Sequence, residues 1–152
     1  MKLNFKKVSE SDFEKIDIPV LFENKLTDTT YAVISNYGNE YKYKLGWQSE
    51  SISPTILNID KFIFSIGIDQ IFVIFELHTG NILKRISLDY YFYDIKIFKE
   101  ILYVITQLEI IKINITDLMI IEYFALPDYF ESIEFEESVI YIKCINGEIL
   151  NI

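Results

Sequence analysis

Leu88-Asp89-Tyr90-Tyr91-Phe92-Tyr93-Asp94-Ile95 and Leu126-Pro127-Asp128-Tyr129-Phe130-Glu131-Ser132-Ile133 are two versions of one pattern, set 38 residues apart. Leu, Tyr, Phe and Ile recur in register, and Tyr103 recurs as Tyr141. A period of about 20 to 50 residues marks stacked copies of one supersecondary unit, each unable to bury its apolar face alone.

On either side of this pattern the apolar spacing is two, the period of strands. Each repeat opens with an alternating strand at 57–59, 95–97 or 133–135 and turns at a polar step. A nearly unbroken apolar strand follows at 62–66, 101–105 or 139–142, where lost alternation implies burial on both faces. Third strands are predicted at 71–77 and 109–115, and fourth strands at 82–88 and 120–126. Four antiparallel strands per unit is the plan of a propeller blade. Ile97, Ile101, Tyr103, Ile113, Phe135, Val139 and Tyr141 are the predicted core of the later repeats. The third repeat passes through Asn146-Gly147, a strong hairpin signal, into 148–152 without a fourth strand.

Before Pro54 the pattern is different. Ser9 and Asp12 predict the cap of a short helix that Pro19 limits. Residues 31–35 and 41–45, around Asn36-Tyr37-Gly38-Asn39, predict a hairpin with one wet face, a candidate cover for the last repeat's open edge. Residues 46–54 are the connector. The expected organisation is one domain over 1–152, with an N-terminal extension and hairpin in 1–53 and propeller-like repeats in 54–152. The fold class is all-β, an open arc or a very small propeller, with a β-sandwich as the alternative.

Phe75-Glu76-Leu77-His78-Thr79-Gly80-Asn81 resembles the turn between third and fourth strands in β-propeller repeats of the quinoprotein-like kind, and the four-strand units are similar to those of WD-like proteins. The resemblance implies propeller-type packing. The tryptophan that quinoprotein blades place after Thr-Gly is replaced by Lys84 and, one repeat later, Glu122, and the Gly-His and Trp-Asp signatures of WD blades are missing. Cofactor binding is therefore not carried over.

Composition restricts function. Fourteen basic residues against 23 acidic give a net charge of −9, the wrong sign for a nucleic-acid backbone as partner. No apolar run reaches the roughly 18 residues of a membrane span, and the start of the chain does not read as a secretory signal. One cysteine, Cys144, forms no internal disulfide, and a cytoplasmic setting is the simplest expectation. His78 is the only histidine, so no His-based triad or multi-histidine metal site is expected; an exposed turn histidine is the ordinary reading. The carboxylates fall mostly at outward strand positions or turns, where solvation explains them. No catalytic residue, cofactor or metal is predicted.

Two features stand out as partner-binding candidates. Asp128, Glu131, Glu134, Glu136 and Glu137, with Glu148, give the third repeat an acidic surface that only Lys143 offsets. Tyr90, Tyr93 and Tyr129 lie at the predicted crossings between units, amphipathic side chains of the kind interfaces favour. A small, acidic chain without catalytic residues is similar in general character to bacterial immunity proteins, which block a cognate toxin. That likeness implies a non-enzymatic module that occupies a basic toxin through its acidic surface. The alternative is a scaffold subunit that self-associates through open strand edges, and a carbohydrate-active enzyme is a third possibility.

Overall fold

The fold is known from a computed structural model that describes residues 2–152. It is nearly all-β, as the period-two pattern requires. The strands are β1 (Leu3–Val8), β2 (Val20–Phe22), β3 (Thr30–Asn36), β4 (Lys42–Trp47), β5 (Thr55–Asp60), β6 (Ile63–Ile68), β7 (Ile71–Glu76) and β8 (Ile82–Ser87), with one helix, α1 (Glu10–Lys15), after β1. They continue as β9 (Phe92–Phe98), β10 (Ile101–Thr106), β11 (Glu109–Asn114), β12 (Ile120–Ala125), β13 (Phe130–Phe135), β14 (Ile140–Cys144) and β15 (Ile149–Asn151). The chain forms two compact units, Met1–Ser87 and Leu88–Ile152.

The first unit contains two four-stranded sheets. β5-β6-β7-β8 is the predicted blade, antiparallel throughout, with strands within about two residues of their predicted ends. The other sheet extends the sequence reading. The hairpin expected before Pro54 forms as β3–β4 and is paired on one side with β1 and on the other, in parallel, with β2, strands the sequence reading did not expect. The hairpin is therefore built into its own sheet and does not supply the missing strand of the last repeat. Ile34, Leu45, Phe64, Ile66 and Phe75 are fully enclosed in the core these two sheets share. The helix forms as predicted, the Ser9 hydroxyl accepting a hydrogen bond from the Asp12 backbone N–H. The Lys44 ammonium secures its far end, donating to the carbonyls of Phe13 and Ile16 at 2.7 and 2.8 Å.

The second unit contains β9-β10-β11-β12 and the three-stranded sheet β13-β14-β15. Tyr103, Ile105, Ile110, Ile140 and Ile142 are buried where these two sheets face each other, with Phe98 and Phe135 packed at 4.9 Å beside them. The 38-residue repeat is visible in the backbone: Gln107 N–H donates to the Tyr91 carbonyl as Ile145 N–H does to Tyr129. Likewise Gly80 N–H donates to Glu76 as Leu118 N–H does to Asn114, across the boundary between the repeats. Tyr103 and Ile113 are buried as predicted, whereas Ile101, Phe135, Val139 and Tyr141 are half-buried and Ile97 is exposed. Ile97 lies on an edge strand, where an alternating pattern does not guarantee a covering neighbour.

Candidate interaction surface

The acidic candidates lie in β13 or in the segments just before and after it, strung along the chain rather than gathered at a point. Asp128 precedes the strand, and its carboxylate accepts the Asn146 N–H at 2.9 Å, so it holds the β14–β15 turn. Glu131, the second residue of the strand, pairs with Lys143 at 3.2 Å. Glu134 is exposed with no ion pair among the described residues, and Glu136 and Glu137 are exposed at the turn after the strand. Lys99 reaches this turn, donating to the Glu137 carbonyl. From Asp128 to Glu136 an extended chain covers roughly 25 Å at about 3.3 Å per residue, so these residues form a strip.

Strand alternation explains which face the strip borders. Ile133, Phe135, Ile140, Ile142, Leu150 and Ile152 face the core, leaving Ser132, Glu134, Tyr141, Lys143 and Ile149 on the other face. The repeat explains why that face is wet. Tyr141 corresponds to Tyr103, and Lys143 to Ile105, at 38 residues; Tyr103 and Ile105 are buried beneath the last sheet. No further sheet of the second unit covers Tyr141, and a charged residue replaces the isoleucine.

The aromatic candidates are divided. Tyr90 lies in the crossing before β9, whereas Tyr93 belongs to β9 itself, with its ring edge-on to Phe130 at 5.0 Å. Tyr129 lies in the crossing before β13 and is half exposed. The sequence reading put all three outside the strands, and Tyr93 is the exception. Tyr129 stands between Asp128 and Phe130 in the chain, so this ring contact brings Tyr93 to the start of β13.

Sequence reasoning missed one feature. Asp69, in a left-handed turn with φ 51, accepts the backbone N–H groups of Gln48 and Ser49 and the Ser49 hydroxyl. Asp69 and Asp28 line a cavity of about 330 Å³ with Trp47, Gln70 and Arg85. Burial raises the Asp28 carboxyl above its usual range; the Asn24 backbone N–H opposes that shift, and Glu23 and Asp69 add to it. Among the described residues no group of three or more His, Cys, Asp or Glu side chains is positioned to hold a metal ion. His78 is exposed, its ring 3.6 Å from Phe62 and its Nδ1 3.2 Å from Glu76. Cys144 is buried, which raises its thiol pKa.

The four sheets, three of four strands and one of three, define a propeller-like fold. No family model and no curated protein matches the chain. Solved structures do, and propeller proteins are among them. The computationally designed Ika4 protein is similar at a TM-score of 0.57 and 12% identity, over 80% of this chain and 78% of that one. Sqt1 of Saccharomyces cerevisiae is similar at 0.58 and 14%, over 82% of this chain and 40% of its own. BBS1N, solved in complex with ARL6DN, is similar at 0.50 and 11%, over 80% and 42%. The chain thus spans about two fifths of the last two, and at these identities the likeness concerns fold. No helix among the described residues is long and apolar enough to cross a membrane.

Proposed function

We propose that this chain is a non-enzymatic protein-interaction scaffold of propeller type, acting through its second unit. The observation that carries the reading is the uneven charge. Residues 88–152 hold 12 acidic and 4 basic side chains, a formal −8 of the chain's −9, while the first unit is nearly balanced. Potentials of one sign attract partners of the other and speed their encounter. The same charge opposes pairing of two copies through their second units, so a basic partner fits better than self-association.

The test is to reverse Glu134, Glu136 and Glu137 to Lys and compare what wild type and variant retain from a lysate of the source cell. A partner held by wild type at low salt, released at high salt and not held by the variant supports the reading. Identical retention by both proteins contradicts it. Sedimentation over a concentration series separates out self-association, which would raise the mass.

A narrower form is an immunity protein in the cytoplasm, its acidic strip occupying the basic groove of a toxin. The strip along β13 favours it, since a row of carboxylates mimics the charge of an extended polyanion. Its test is whether the retained partner is toxic alone and silenced by this chain.

A further inference from the structure

Gly46, in β4, has no side chain where the Asp28 carboxylate sits. A Cβ built there would stand 2.6 Å from Asp28 Oδ2 and 3.1 Å from the Tyr31 ring. The loop itself holds the carboxylate in that place: Oδ2 accepts the Asn24 N–H at 2.6 Å, and the Asp28 N–H returns to the Asn24 carbonyl at 2.9 Å. The Tyr31 hydroxyl donates to the Asp28 carbonyl and the Thr29 N–H to the Trp47 carbonyl, which fastens the loop to β3 and β4. Asp28 is thereby half-buried against the first sheet instead of standing free in solvent.

Arg85 approaches the same space from the second sheet of this unit. In β8 it stands opposite Val73, and Ser87 stands opposite Ile71. Directly opposed residues of an antiparallel pair share a face. Val73 and Ile71 belong to the face that packs on the first sheet, so the outer strand β8 directs its arginine inward. Both charges line the cavity of about 330 Å³, whose apolar lining is Phe22, Trp47 and Ile71. That volume lies at the lower end of the roughly 300–1,000 Å³ of small-molecule sites. Arg85 makes no ion pair or hydrogen bond among the described residues, and no basic side chain is among the groups acting on Asp28. The cavity therefore presents opposite charges from two sheets that do not neutralise each other: Asp28, with Glu23 beside it, and Arg85.

We propose that this cavity binds a small zwitterion of the amino-acid or short-peptide class, its ammonium group at Asp28 and Glu23 and its carboxylate at Arg85. The site lies wholly within the first unit and goes beyond the scaffold reading, which rests on the second. Charge selects the ligand. A polyol would find hydroxyl and amide partners here but would leave the half-buried Asp28 without a counter-charge, and an unpaired charge is costly to bury. An anion alone would meet Arg85 but also two free carboxylates. Asp69 is already occupied, accepting the Gln48 and Ser49 N–H groups and the Ser49 hydroxyl, so it shapes the wall. The raised Asp28 carboxyl points the same way: burial and the neighbouring carboxylates disfavour its charge, and a bound ammonium restores it. Phe22, Trp47 and Ile71 favour an apolar side chain on the ligand.

The experiment uses the full chain and three probes whose charges stand progressively farther apart: leucine, leucyl-glycine and leucyl-glycyl-glycine. Binding is read from the fluorescence of Trp47, the only tryptophan, and by calorimetry. Each probe has two controls, its N-acetyl form without the ammonium and its C-terminal amide without the carboxylate. Asp28→Asn and Arg85→Gln remove the matching charges from the protein, and their melting curves report folding. The expected result is binding of at least one probe, weakened by at least about tenfold on acetylation, on amidation and in either variant. Amidation should cost nothing further in Arg85→Gln, a coupling that a general loss of structure would not produce. Equal binding of acid and amide, indifferent to Arg85→Gln, would overturn the zwitterion and leave a site for organic cations. No binding of any of the three would reject the proposal outright. Neither result bears on the scaffold reading, whose test lies in the second unit.

Discussion

Gly80 is the position where one added carbon has the most to disturb. It sits at φ +75 in the turn between β7 and β8, and a Cβ built there stands 2.5 Å from Cε1 of Tyr43, far inside contact distance. Tyr43 cannot readily yield. Its ring is 4% exposed and packs edge-on to Phe75 at 5.9 Å, and its hydroxyl donates to the Leu77 carbonyl in the same turn. Gly80→Ala therefore has two costs. The left-handed backbone costs about 1 kcal/mol for any side chain. Moving Tyr43 off its acceptor leaves a buried carbonyl unpaired, about 1–3 kcal/mol more. The total, about 2–4 kcal/mol, is a large share of the roughly 5–15 kcal/mol that holds a domain together.

Gly38 supplies the control, since it also has positive φ, +92, but nothing lies within 4 Å of its added Cβ. Gly38→Ala should cost only the backbone term, about 1 kcal/mol. The assay is urea unfolding of both variants, with tryptophan fluorescence reporting the first unit through Trp47. Equal losses in the two variants would refute the role given to Tyr43. Leu118 makes the same turn one repeat later at φ 59, so the turn itself accepts a side chain.

Tyr103 and Tyr141 are equivalent in sequence but should differ in cost. Tyr103→Ala empties a site 2% exposed against Phe135 at 5.2 Å and should lose about 3 kcal/mol, while the half-buried Tyr141 should lose less; equal shifts in melting would contradict the face assignment. Asp28 gives a pH test. Its carboxyl is raised, so the folded state holds the proton more tightly than the unfolded one, and its contribution to stability falls as pH rises from about the ordinary 3.8 through the folded value. Asp28→Asn should therefore raise the melting temperature at neutral pH, with the gain shrinking towards pH 3. A gain that is constant across that range would exclude burial of the charge as its cause.

The repeat was legible because its signals are local: alternation, polar turns and Asn146-Gly147 put the later strands close to where they lie. The first sheet was not, for equally local reasons. β1 reads Leu-Asn-Phe-Lys-Lys-Val, so its two lysines hide an edge strand with Leu3 buried, and β2 has only three residues after a proline. Their partners are distant in sequence, and pairing of that kind leaves no periodic trace. At the interaction surface, charge and alternation correctly placed Glu134 in solvent and Glu136 and Glu137 in a turn. Tyr141 was misread because it repeats Tyr103, although Lys143 in the place of Ile105 already marked a face that no sheet covers.

The association rate of a retained partner with wild type and with the triple variant Glu134→Lys, Glu136→Lys and Glu137→Lys, measured at low and high salt, tests the central claim most directly. The predicted result is a rate that falls with salt for wild type and is much lower in the variant, because steering charges act on the encounter. Equal rates for the two proteins, indifferent to salt, would contradict it.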